Sequence, residues 1–377
     1  MSAKTVMHLI ATSFYGGPEK QIVEHLKRLD QTKYKGIAAS FIEGEQGNEF
    51  IDRAKGAGVK VQSLHMSSPL DFIALWKLIR LLKSCEVDLL CTHGYKSAVM
   101  GWIASKINGN PVVAFSRGYT GENRKVAFYE WLDRKFISIS AGIICVSEGQ
   151  RKKLKKLGLN VNEQNSWVVH NAALLDNSPA SESGDREKFC EEIGIDPDAI
   201  IAVAAGRLSP EKGHRFLVKA MADLKERDVN LICLICGDGM EMESLREQAK
   251  SLGVDDCCLF LGFRRDVPQI FKIMDFMVLP SLTEGLPNVI LESFALSKPV
   301  ISTCVGGVPE IVEQNVNGIM VDAEDSGSLA TAMEGLAKDK NLREIMGQKG
   351  HHDVCSKFTF EKQAKELQDI YASLMFN

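Results

Sequence analysis

The 377-residue sequence has no excess of positive charge, no long apolar run and no metal-spaced set of cysteines. A net charge of −4 and an isoelectric point near 6.1 argue against nucleic acid as the main partner, because phosphate neutralisation needs a basic face. No apolar stretch reaches the roughly 20 residues that span a bilayer. The opening MSAKTVMHLIATSF has the pattern of a first strand and lacks that of a signal peptide. We therefore expect a cytoplasmic protein, at most peripheral on the cytoplasmic face of a membrane.

The ten cysteines give no metal-binding pattern. Most lie in apolar runs such as LICLIC and GIICVS, which are typical of buried strands. Cys233 and Cys236 form a CxxC motif, but residues three apart on a strand face opposite ways and cannot bind one metal ion. Cysteines scattered through apolar segments indicate reduced packing residues in a reducing compartment.

Length and pattern together predict two α/β domains. The chain is too long for one ordinary core, and 45% hydrophobic with 25% charged residues is typical of a soluble globular protein. Short apolar runs alternate with amphipathic segments, which indicates parallel sheets covered on both faces. The predicted strands are TVMHLIATS, GIAASFI, KVQSL, DLLCTH, PVVAFS, AGIICVS and WVVHN, then IIAVAAG, NLICLICG, CCLFLGF, DFMVLPS, PVISTC and GIMVD.

A polar, turn-rich stretch divides the pattern, and we interpret Leu175 to Gly184 as a linker. We predict a Rossmann-like, doubly wound domain at residues 1–174 and a second at 185–377, facing each other across a cleft. The last helix, TFEKQAKELQDIYASLM, is expected to pack back on the N-terminal domain. Ligands of such sheets bind beyond the carboxyl ends of the strands, so the residues after each apolar run are the candidates.

Two cations follow the strand IIAVAA in the motif GRLSPEKG. Arg207 comes directly after the strand end, and Lys212 follows in a turn five residues later. Together they could clamp a diphosphate, with the next helix N-terminus offering its positive end to the same site. The alternative is a pair of solvated surface cations.

Two carboxylates follow the strand DFMVLP in the motif TEGLPNVILESFALS. Glu284 lies in the turn where a reacting sugar would sit, and Glu292 lies on a helix that is otherwise apolar. A buried carboxylate needs a hydrogen-bonding partner, which ribose hydroxyls or a backbone cap could supply. Amides at Gly285 to Val289 would face an anion at the helix start. A purely structural carboxylate pair is the alternative.

The N-terminal half offers weaker candidates after its strands. Gly16 and Gly17 could let a ligand approach the backbone, although an ordinary tight turn fits as well. His93 ends the strand DLLCTH, where a structural histidine is the alternative. Arg117 and Tyr119 follow the strand PVVAFS and could face either the acceptor or the donor, and Arg117 could hold a phosphate or carboxylate of an acceptor.

One helical segment has two interpretations. The first is core packing with a solvated basic face, and the second is contact with anionic lipid, which would suit a lipid-linked acceptor. The predicted core-facing residues are Phe72, Leu75, Trp76, Ile79 and Leu82, with Lys77, Arg80 and Lys83 elsewhere and a further basic cluster at QRKKLKKLG.

These motifs, in this order and followed by STCVGGVPEIVEQNVNGIMVD, resemble the retaining glycosyltransferases of the GT-B fold, family 4 (glycosyl transferases group 1). The resemblance covers nearly the whole chain and is strongest from Ala204 to Asp322. It implies a hexosyl-type transfer that needs no metal or cofactor, and no Asp-x-Asp follows a strand here. The nucleotide sugar, most commonly a UDP-sugar, is the co-substrate.

The resemblance also implies roles for individual residues. Arg207 and Lys212 would bind the donor diphosphate, Glu284 the sugar hydroxyls and Glu292 the ribose. The implied catalytic residues are Glu284, His93, Arg207 and Lys212. The implied donor-binding residues are Gly16, Gly17, Arg207, Lys212, Gly262, Phe263, Arg264, Glu284, Gly285, Leu286, Asn288, Val289 and Glu292. Arg117 and Tyr119 are the acceptor candidates, and Ala172 stands where the family usually has Gly.

The resulting hypothesis is transfer of a sugar to a hydroxyl of a glycan or glycolipid, in polysaccharide or lipopolysaccharide synthesis. Attack from the face of the departing diphosphate would retain the anomeric configuration, with a leaving phosphate oxygen as base and Glu284 as the rival nucleophile. A nucleotide-sugar 2-epimerase of the same fold is the alternative, and a non-catalytic scaffold is a further one. The set Arg207, Lys212, Glu284 and Glu292 favours transfer.

Overall fold

The computed structural model describes residues 2–42, 47–67, 71–119, 124–175 and 184–375. The chain divides into two compact units, Met1–Ala172 with Phe360–Asn377, and Ala173–Thr359. The predicted linker lies largely in 176–183, outside the described residues.

The first unit contains a seven-stranded parallel sheet in the order β3-β2-β1-β4-β5-β6-β7. Its strands are β1 (Lys4–Ile10), β2 (Tyr34–Ile42), β3 (Lys60–His65), β4 (Val87–His93), β5 (Val112–Ser116), β6 (Gly142–Cys145) and β7 (Ser166–Val168). Its helices are α1 (Gly17–Lys27), α2 (Glu49–Gly56), α3 (Phe72–Ser84), α4 (Tyr95–Asn108), α5 (Arg124–Ile137), α6 (Glu148–Lys156) and the last helix of the chain, α14 (Phe360–Met375).

Continuous apolar strands place this sheet between two hydrophobic layers. Successive side chains of a strand point to opposite faces, so Val6 packs in one core cluster and its neighbour Met7 in another. Leu89 and Leu90 of β4 divide between the same two clusters. The α14 residues Leu367 and Tyr371 belong to the cluster of Val6, and α14 is therefore a structural part of this unit.

The second unit contains a six-stranded parallel sheet in the order β10-β9-β8-β11-β12-β13. Its strands are β8 (Ile200–Ala205), β9 (Leu231–Cys236), β10 (Cys258–Gly262), β11 (Phe276–Leu279), β12 (Val300–Thr303) and β13 (Gly318–Val321). Its helices are α7 (Asp185–Ile193), α8 (His214–Glu226), α9 (Met242–Ser251), α10 (Val267–Ile273), α11 (Asn288–Ala295), α12 (Ser326–Lys338) and α13 (Lys340–Lys357).

Both sheets reverse their strand order once, which is the defining feature of a doubly wound fold. The reversal lies between β1 and β4 in the first unit and between β8 and β11 in the second. A crevice forms at such a point, beyond the carboxyl ends of the two strands, and ligands bind there. The prediction of two Rossmann-like domains is confirmed, and each apolar run predicted as a strand overlaps one.

The prediction for the core face of α3 was right for its aliphatic residues, Leu75, Ile79 and Leu82, and wrong for its aromatic ones. The helix buries Ala74, Leu78 and Leu82, while Phe72 is 83% and Trp76 50% exposed. Residues at positions i, i+4 and i+8 of a helix share a stripe, and this helix places small or aliphatic residues on that stripe and aromatic residues beside it. The exposed aromatics are a surface feature that core packing does not explain.

All ten cysteines are free, and Cys304 and Cys355 are exposed. Cys233 packs in the main hydrophobic cluster of the second unit, as expected for a packing residue. Within the described part of the chain, no helix is both long enough and apolar enough to cross a membrane.

Candidate functional site

The reversal point of the second sheet brings together the two motifs that the sequence separates by about 70 residues. The loop after β8 carries Lys212, and the loop after β11 carries Glu284. Lys212 Nζ lies 2.6 Å from Glu284 Oε1, and Ser281 Oγ donates a hydrogen bond of 2.7 Å to the same oxygen. We call Lys212, Ser281 and Glu284 the clamp cluster. Its charged side chains are only 24% and 9% exposed, so their attraction is less screened than that of a surface pair.

Backbone contacts hold the two loops of the clamp cluster against each other. The Leu282 amide donates to the Glu211 carbonyl at 2.7 Å, and the Glu211 carboxylate accepts from Ser209 Oγ at 2.6 Å. Gly213 has a φ of +66°, and a β-carbon there would overlap the Pro280 carbonyl. Gly306 has a φ of +56°, and a β-carbon there would overlap the Glu284 carbonyl. Both positions therefore require glycine.

Two helices begin beside the clamp cluster. His214, the first residue of α8, is buried, and burial followed by the charge of Lys212 lowers its pKa to about 4. The ring is therefore neutral near pH 7 and adds no second positive charge. The predicted residues Gly285 and Leu286 are buried in the turn before α11, and Asn288 is its first residue. Val289 and Glu292 are half-buried on α11.

The remaining predicted donor residues lie on neighbouring loops. Arg207 is exposed, two residues beyond the end of β8. Gly262 ends β10, which is separated from β8 by β9. Phe263 is 67% exposed, whereas the Arg264 guanidinium donates two hydrogen bonds, of 2.8 and 2.6 Å, to Asp266. That ion pair raises the pKa of Arg264 and holds its side chain in place. A nucleotide base bound at this loop would therefore contact mainly backbone atoms.

The reversal point of the first sheet carries the glycine pair and His93. Gly16 caps α1, its amide donates to Glu19 Oε2 at 3.0 Å, and Gly17 is the first residue of the helix. A β-carbon on Gly16 would lie 2.9 Å from the Phe14 ring. The pair therefore forms a tight helix entry, directly beside the end of β4 where His93 lies.

His93 belongs to a buried chain of hydrogen bonds. Arg117 Nη2 lies 3.3 Å from His93 Nδ1, and His93 Nε2 lies 3.0 Å from His8 Nδ1. The Tyr371 hydroxyl then lies 3.0 Å from His8 Nε2 and 3.0 Å from His25 Nε2. We call Arg117, His93, His8, Tyr371 and His25 the histidine chain.

Burial holds the imidazoles of the histidine chain in their neutral form. It lowers the pKa of His25 to about 3 and those of His8 and His93 well below 6.5. Burial also lowers the pKa of Arg117 to about 10, partly offset by the charge of Glu19. Arg117 is thus a half-buried cation whose guanidinium donates a hydrogen bond to a neutral ring.

Tyr119 does not lie where the sequence predicted. It is 8% exposed, packs in a local core with Ile137 and Cys145, and donates a 2.9 Å hydrogen bond to Asp133 Oδ2. Burial raises the pKa of that carboxyl to about 6. The hydroxyl of Tyr119 is therefore bonded inside the core, and Arg117 is the acceptor candidate that keeps an unsatisfied polar atom, since its Nε has no partner among the described residues.

Sequence reasoning did not find Ser281, Glu211, Gly306, His8 and Tyr371. Ser281 directly follows a strand and Gly306 lies in a GG pair, so the rule about carboxyl ends could have included both. His8 lies inside a strand and Tyr371 on the last helix, and neither position carries a local signal.

Comparison with known proteins covers both units. The family model described as glycosyl transferases group 1 matches residues 185–353, and the one described as glycosyltransferase family 4 matches residues 15–176. The Escherichia coli UDP-Gal:alpha-D-GlcNAc-diphosphoundecaprenol alpha-1,3-galactosyltransferase is 28% identical over 317 residues, 81% of each chain. The Rhizobium meliloti lipopolysaccharide core biosynthesis glycosyltransferase LpsE is 33% identical over 178 residues, which are 47% of this chain and 50% of that protein.

Solved structures share the fold over almost the full length. Anabaena Alr3699/HepE in complex with UDP and glucose superposes with a TM-score of 0.85 at 20% identity, covering 98% of this chain and 100% of that one. The same protein in complex with UDP-glucose gives a TM-score of 0.84 at 21% identity, covering 98% and 99%.

Proposed function

Because this chain belongs to the family 4 glycosyltransferases of the GT-B fold, we propose that it is a retaining, metal-independent enzyme that transfers a sugar from a UDP-sugar to a hydroxyl of a glycan or glycolipid. The observation that carries the proposal is the clamp cluster at the reversal point of the second sheet. There a half-buried cation and a carboxylate meet, 2.6 Å apart, where a doubly wound sheet binds its ligand.

Lys212 would connect the two ends of the donor. An ammonium group has three N–H donors, so Lys212 can keep its bond to Glu284 while donating to a phosphate oxygen. Glu284 accepts hydrogen bonds and would take those of the sugar hydroxyls. The pair thus fixes the distance between the diphosphate and the sugar, and Arg207 adds a second cation at the diphosphate.

In the proposed reaction, the acceptor oxygen bonds to the anomeric carbon from the face on which the diphosphate leaves. The bond from that carbon to the diphosphate oxygen breaks, and UDP departs with the electron pair. The acceptor proton passes to a leaving phosphate oxygen. Lys212, Arg207 and the amides before α11 stabilise the developing charge, which is the kind of preorganised stabilisation that gives enzymes most of their rate.

The relatives support the choice of substrates. A UDP-sugar and a diphosphoundecaprenol-linked sugar are named for the E. coli galactosyltransferase, and UDP is named in the Anabaena complexes. Arg117, a half-buried cation in the first unit, suits an anionic acceptor group such as a phosphate. We therefore propose a lipid-linked saccharide as the acceptor and cell-surface polysaccharide or lipopolysaccharide synthesis as the setting.

A lipid-linked acceptor would require contact with a membrane, and the first unit has a surface suited to it. Phe72 and Trp76 are exposed on α3, and the Arg80 guanidinium stacks over the Trp76 ring at 3.4 Å. Phe128 and Trp131 are exposed and stacked on α5. Helix α4 packs against both α3 and α5, so these helices belong to one layer. Aromatic rings beside cations suit the interface of an anionic bilayer.

The membrane contact is tested with phosphatidylglycerol vesicles and phosphatidylcholine vesicles in a sedimentation assay. We expect binding to the anionic vesicles only, weakened by salt, and reduced about tenfold when Phe72 and Trp76 are both changed to serine. Met240→Ser, at an exposed apolar residue of the second unit, is the control. Equal binding by the double variant and the wild type would contradict the contact.

The transferase proposal is tested with UDP-, GDP- and ADP-sugars in the presence of EDTA, following thermal shift and nucleotide release. We expect one UDP-sugar to stabilise the wild type, and Arg207→Ala and Lys212→Ala to abolish the shift. Lys225→Ala is the control, since Lys225 also pairs with a carboxylate, at 2.7 Å to Asp256, but on the exposed side of α8. Stabilisation by none of the donors, or release of an epimerised sugar without acceptor, would contradict the proposal.

A further inference from the structure

The histidine chain has a direction, because one end of it can only donate hydrogen bonds. A guanidinium has no acceptor atom, so Arg117 must donate to His93 Nδ1, across 3.3 Å. The neutral His93 ring then carries its proton on Nε2 and donates to His8 Nδ1. His8 in turn carries its proton on Nε2 and donates to the Tyr371 hydroxyl.

The direction of hydrogen bonding continues from Tyr371 to His25. The Tyr371 oxygen accepts from His8, so its O–H is available for His25 Nε2 at 3.0 Å, which is a stronger acceptor than the Cys91 thiol that also contacts the hydroxyl. His25 then carries its proton on Nδ1. That nitrogen is buried and has no partner within the described residues. His25 and Arg117 both line a cavity of about 20 Å³, which is large enough for a single water molecule.

The geometry points to Tyr371 as a positioning residue for His93, acting through His8. The hydroxyl of Tyr371 is the acceptor that keeps the proton of His8 on Nε2, and this keeps His8 Nδ1 open to accept from His93. Without it, His8 would either bury its Nε2–H without an acceptor or move the proton to Nδ1 and lose the hydrogen bond from His93. Helix α14, at the far end of the sequence, would thereby set the orientation of a ring at the reversal point of the first sheet.

The tautomer of His93 limits which ligand groups can bind its ring. Both ring nitrogens of His93 are engaged, with Nε2 donating to His8 and Nδ1 accepting from Arg117. A ligand that reaches His93 must therefore replace Arg117 at Nδ1 and bring its own O–H group, as a sugar or acceptor hydroxyl does. This step rests on the proposed function, whereas the direction of the chain does not.

Nitrogen NMR of the enzyme labelled with ¹⁵N-histidine tests the direction of the histidine chain, because long-range correlations distinguish the two tautomers of each ring. In the wild type we expect His93 and His8 protonated on Nε2 and His25 on Nδ1. Finding His93 protonated on Nδ1 would overturn the proposal, whether or not the protein transfers a sugar.

The variant Tyr371→Phe tests the role of the hydroxyl. We expect mixed tautomers at His8 and His25, a reduced Nε2–H population at His93, and a kcat about tenfold lower with the donor KM unchanged. Tyr34→Phe is the matched control. The Tyr34 hydroxyl also bonds α14, donating to the Gln368 carbonyl at 3.1 Å, but it does not belong to the histidine chain. Wild-type tautomers in Tyr371→Phe would overturn the positioning role.

Discussion

The two units place different chemistry at equivalent points of the same fold. At the reversal point of the second sheet, the clamp cluster is charged and half-buried, and a short ion pair holds it together. At the reversal point of the first sheet, the histidine chain is buried and its rings are neutral. The clamp cluster offers two charged side chains to a ligand, whereas the histidine chain offers one, Arg117, at the end of a series of neutral rings with fixed hydrogen-bond directions.

This difference follows from the cost of burying the groups at each site. Lysine and carboxylate hold their charges only where a partner and some water remain, because burial of an unpaired ion costs several kcal/mol. Neutral imidazoles carry no charge to desolvate, so they can be buried completely when most of their nitrogens have partners. The clamp cluster can therefore exchange partners when a ligand arrives, whereas the histidine chain is suited to hold one arrangement.

The largest effect is expected from removing the charge of the clamp cluster while keeping its shape. Glu284→Gln retains an oxygen that can accept from Ser281 and Lys212, but loses the carboxylate charge. We expect kcat to fall by about 10²- to 10³-fold, as when other transition-state hydrogen-bond partners are removed. Steady-state kinetics of sugar transfer measures this. Full activity would exclude both a nucleophilic role and an important charge for Glu284, and Glu334→Gln on α12 is the control.

The next largest effect on kcat is expected from displacing the loop that carries Glu284 of the clamp cluster. Gly306→Ala places a β-carbon on the Glu284 carbonyl at a positive φ, so the loop must shift. A displacement of about 1 Å can lower kcat by about 10²-fold. The control is Gly335→Ala, an exposed position within α12 where the added carbon meets nothing within 4 Å. That variant should keep its activity and gain about 0.5–1 kcal/mol of stability. Equal activities of the two variants would contradict the tight loop.

The two sites also differ in how well the sequence predicted them. Lys212 and Glu284 each lie within a short motif directly after a strand, and parallel strands bring such ends to one edge. The structure then places β8 beside β11, which brings the two motifs together. The prediction therefore needed only local patterns and one rule of topology.

The histidine chain could not be predicted in this way. Its members come from α1, β1, β4, α14 and the loop after β5, and their contacts depend on side-chain packing that no spacing reveals. The same limit explains Tyr119 and α3. Tyr119 follows a strand as Arg117 does, yet its hydroxyl turns into the core towards Asp133. Hydrophobicity alone assigned Phe72 to the core, although the neighbouring stripe of smaller residues fits the sheet.

A smaller effect, on the free energy of unfolding, is expected from removing the hydroxyl that links α14 to the histidine chain. Tyr371→Phe leaves His8 without an acceptor and His25 without a donor, and each unsatisfied buried group costs about 1–3 kcal/mol. Tyr34→Phe removes one hydrogen bond and should cost about 1 kcal/mol. All four tryptophans, Trp76, Trp102, Trp131 and Trp167, lie in the first unit. Urea unfolding followed by tryptophan fluorescence therefore reports on that unit, and equal losses in the two variants would contradict the link.

The smallest effect is expected from pH, one histidine at a time. An unfolded histidine titrates near 6.5, whereas burial lowers the folded-state pKa of His25 to about 3. Below pH 6.5 the unfolded chain therefore binds a proton that the folded chain does not, and the free energy of unfolding falls as the pH falls. The stabilisation is complete above that range, and each such histidine removes about 1.4 kcal/mol per pH unit of acidification.

The same fluorescence measurement between pH 7.5 and 5.5 isolates this contribution, because most carboxylates stay ionised there. His25→Asn should lower the slope of the unfolding free energy against pH by about 0.7 kcal/mol per pH unit on average across this range, because an unfolded histidine goes from about one-tenth to about nine-tenths protonated there. His65→Asn, at an exposed position on β3, should leave the slope unchanged. If both variants kept the wild-type slope, His25 would take up a proton in the folded state as readily as in the unfolded state, and its ring would be charged below about pH 6.5. The histidine chain would then need a different direction at its α1 end, because a charged ring donates from both nitrogens.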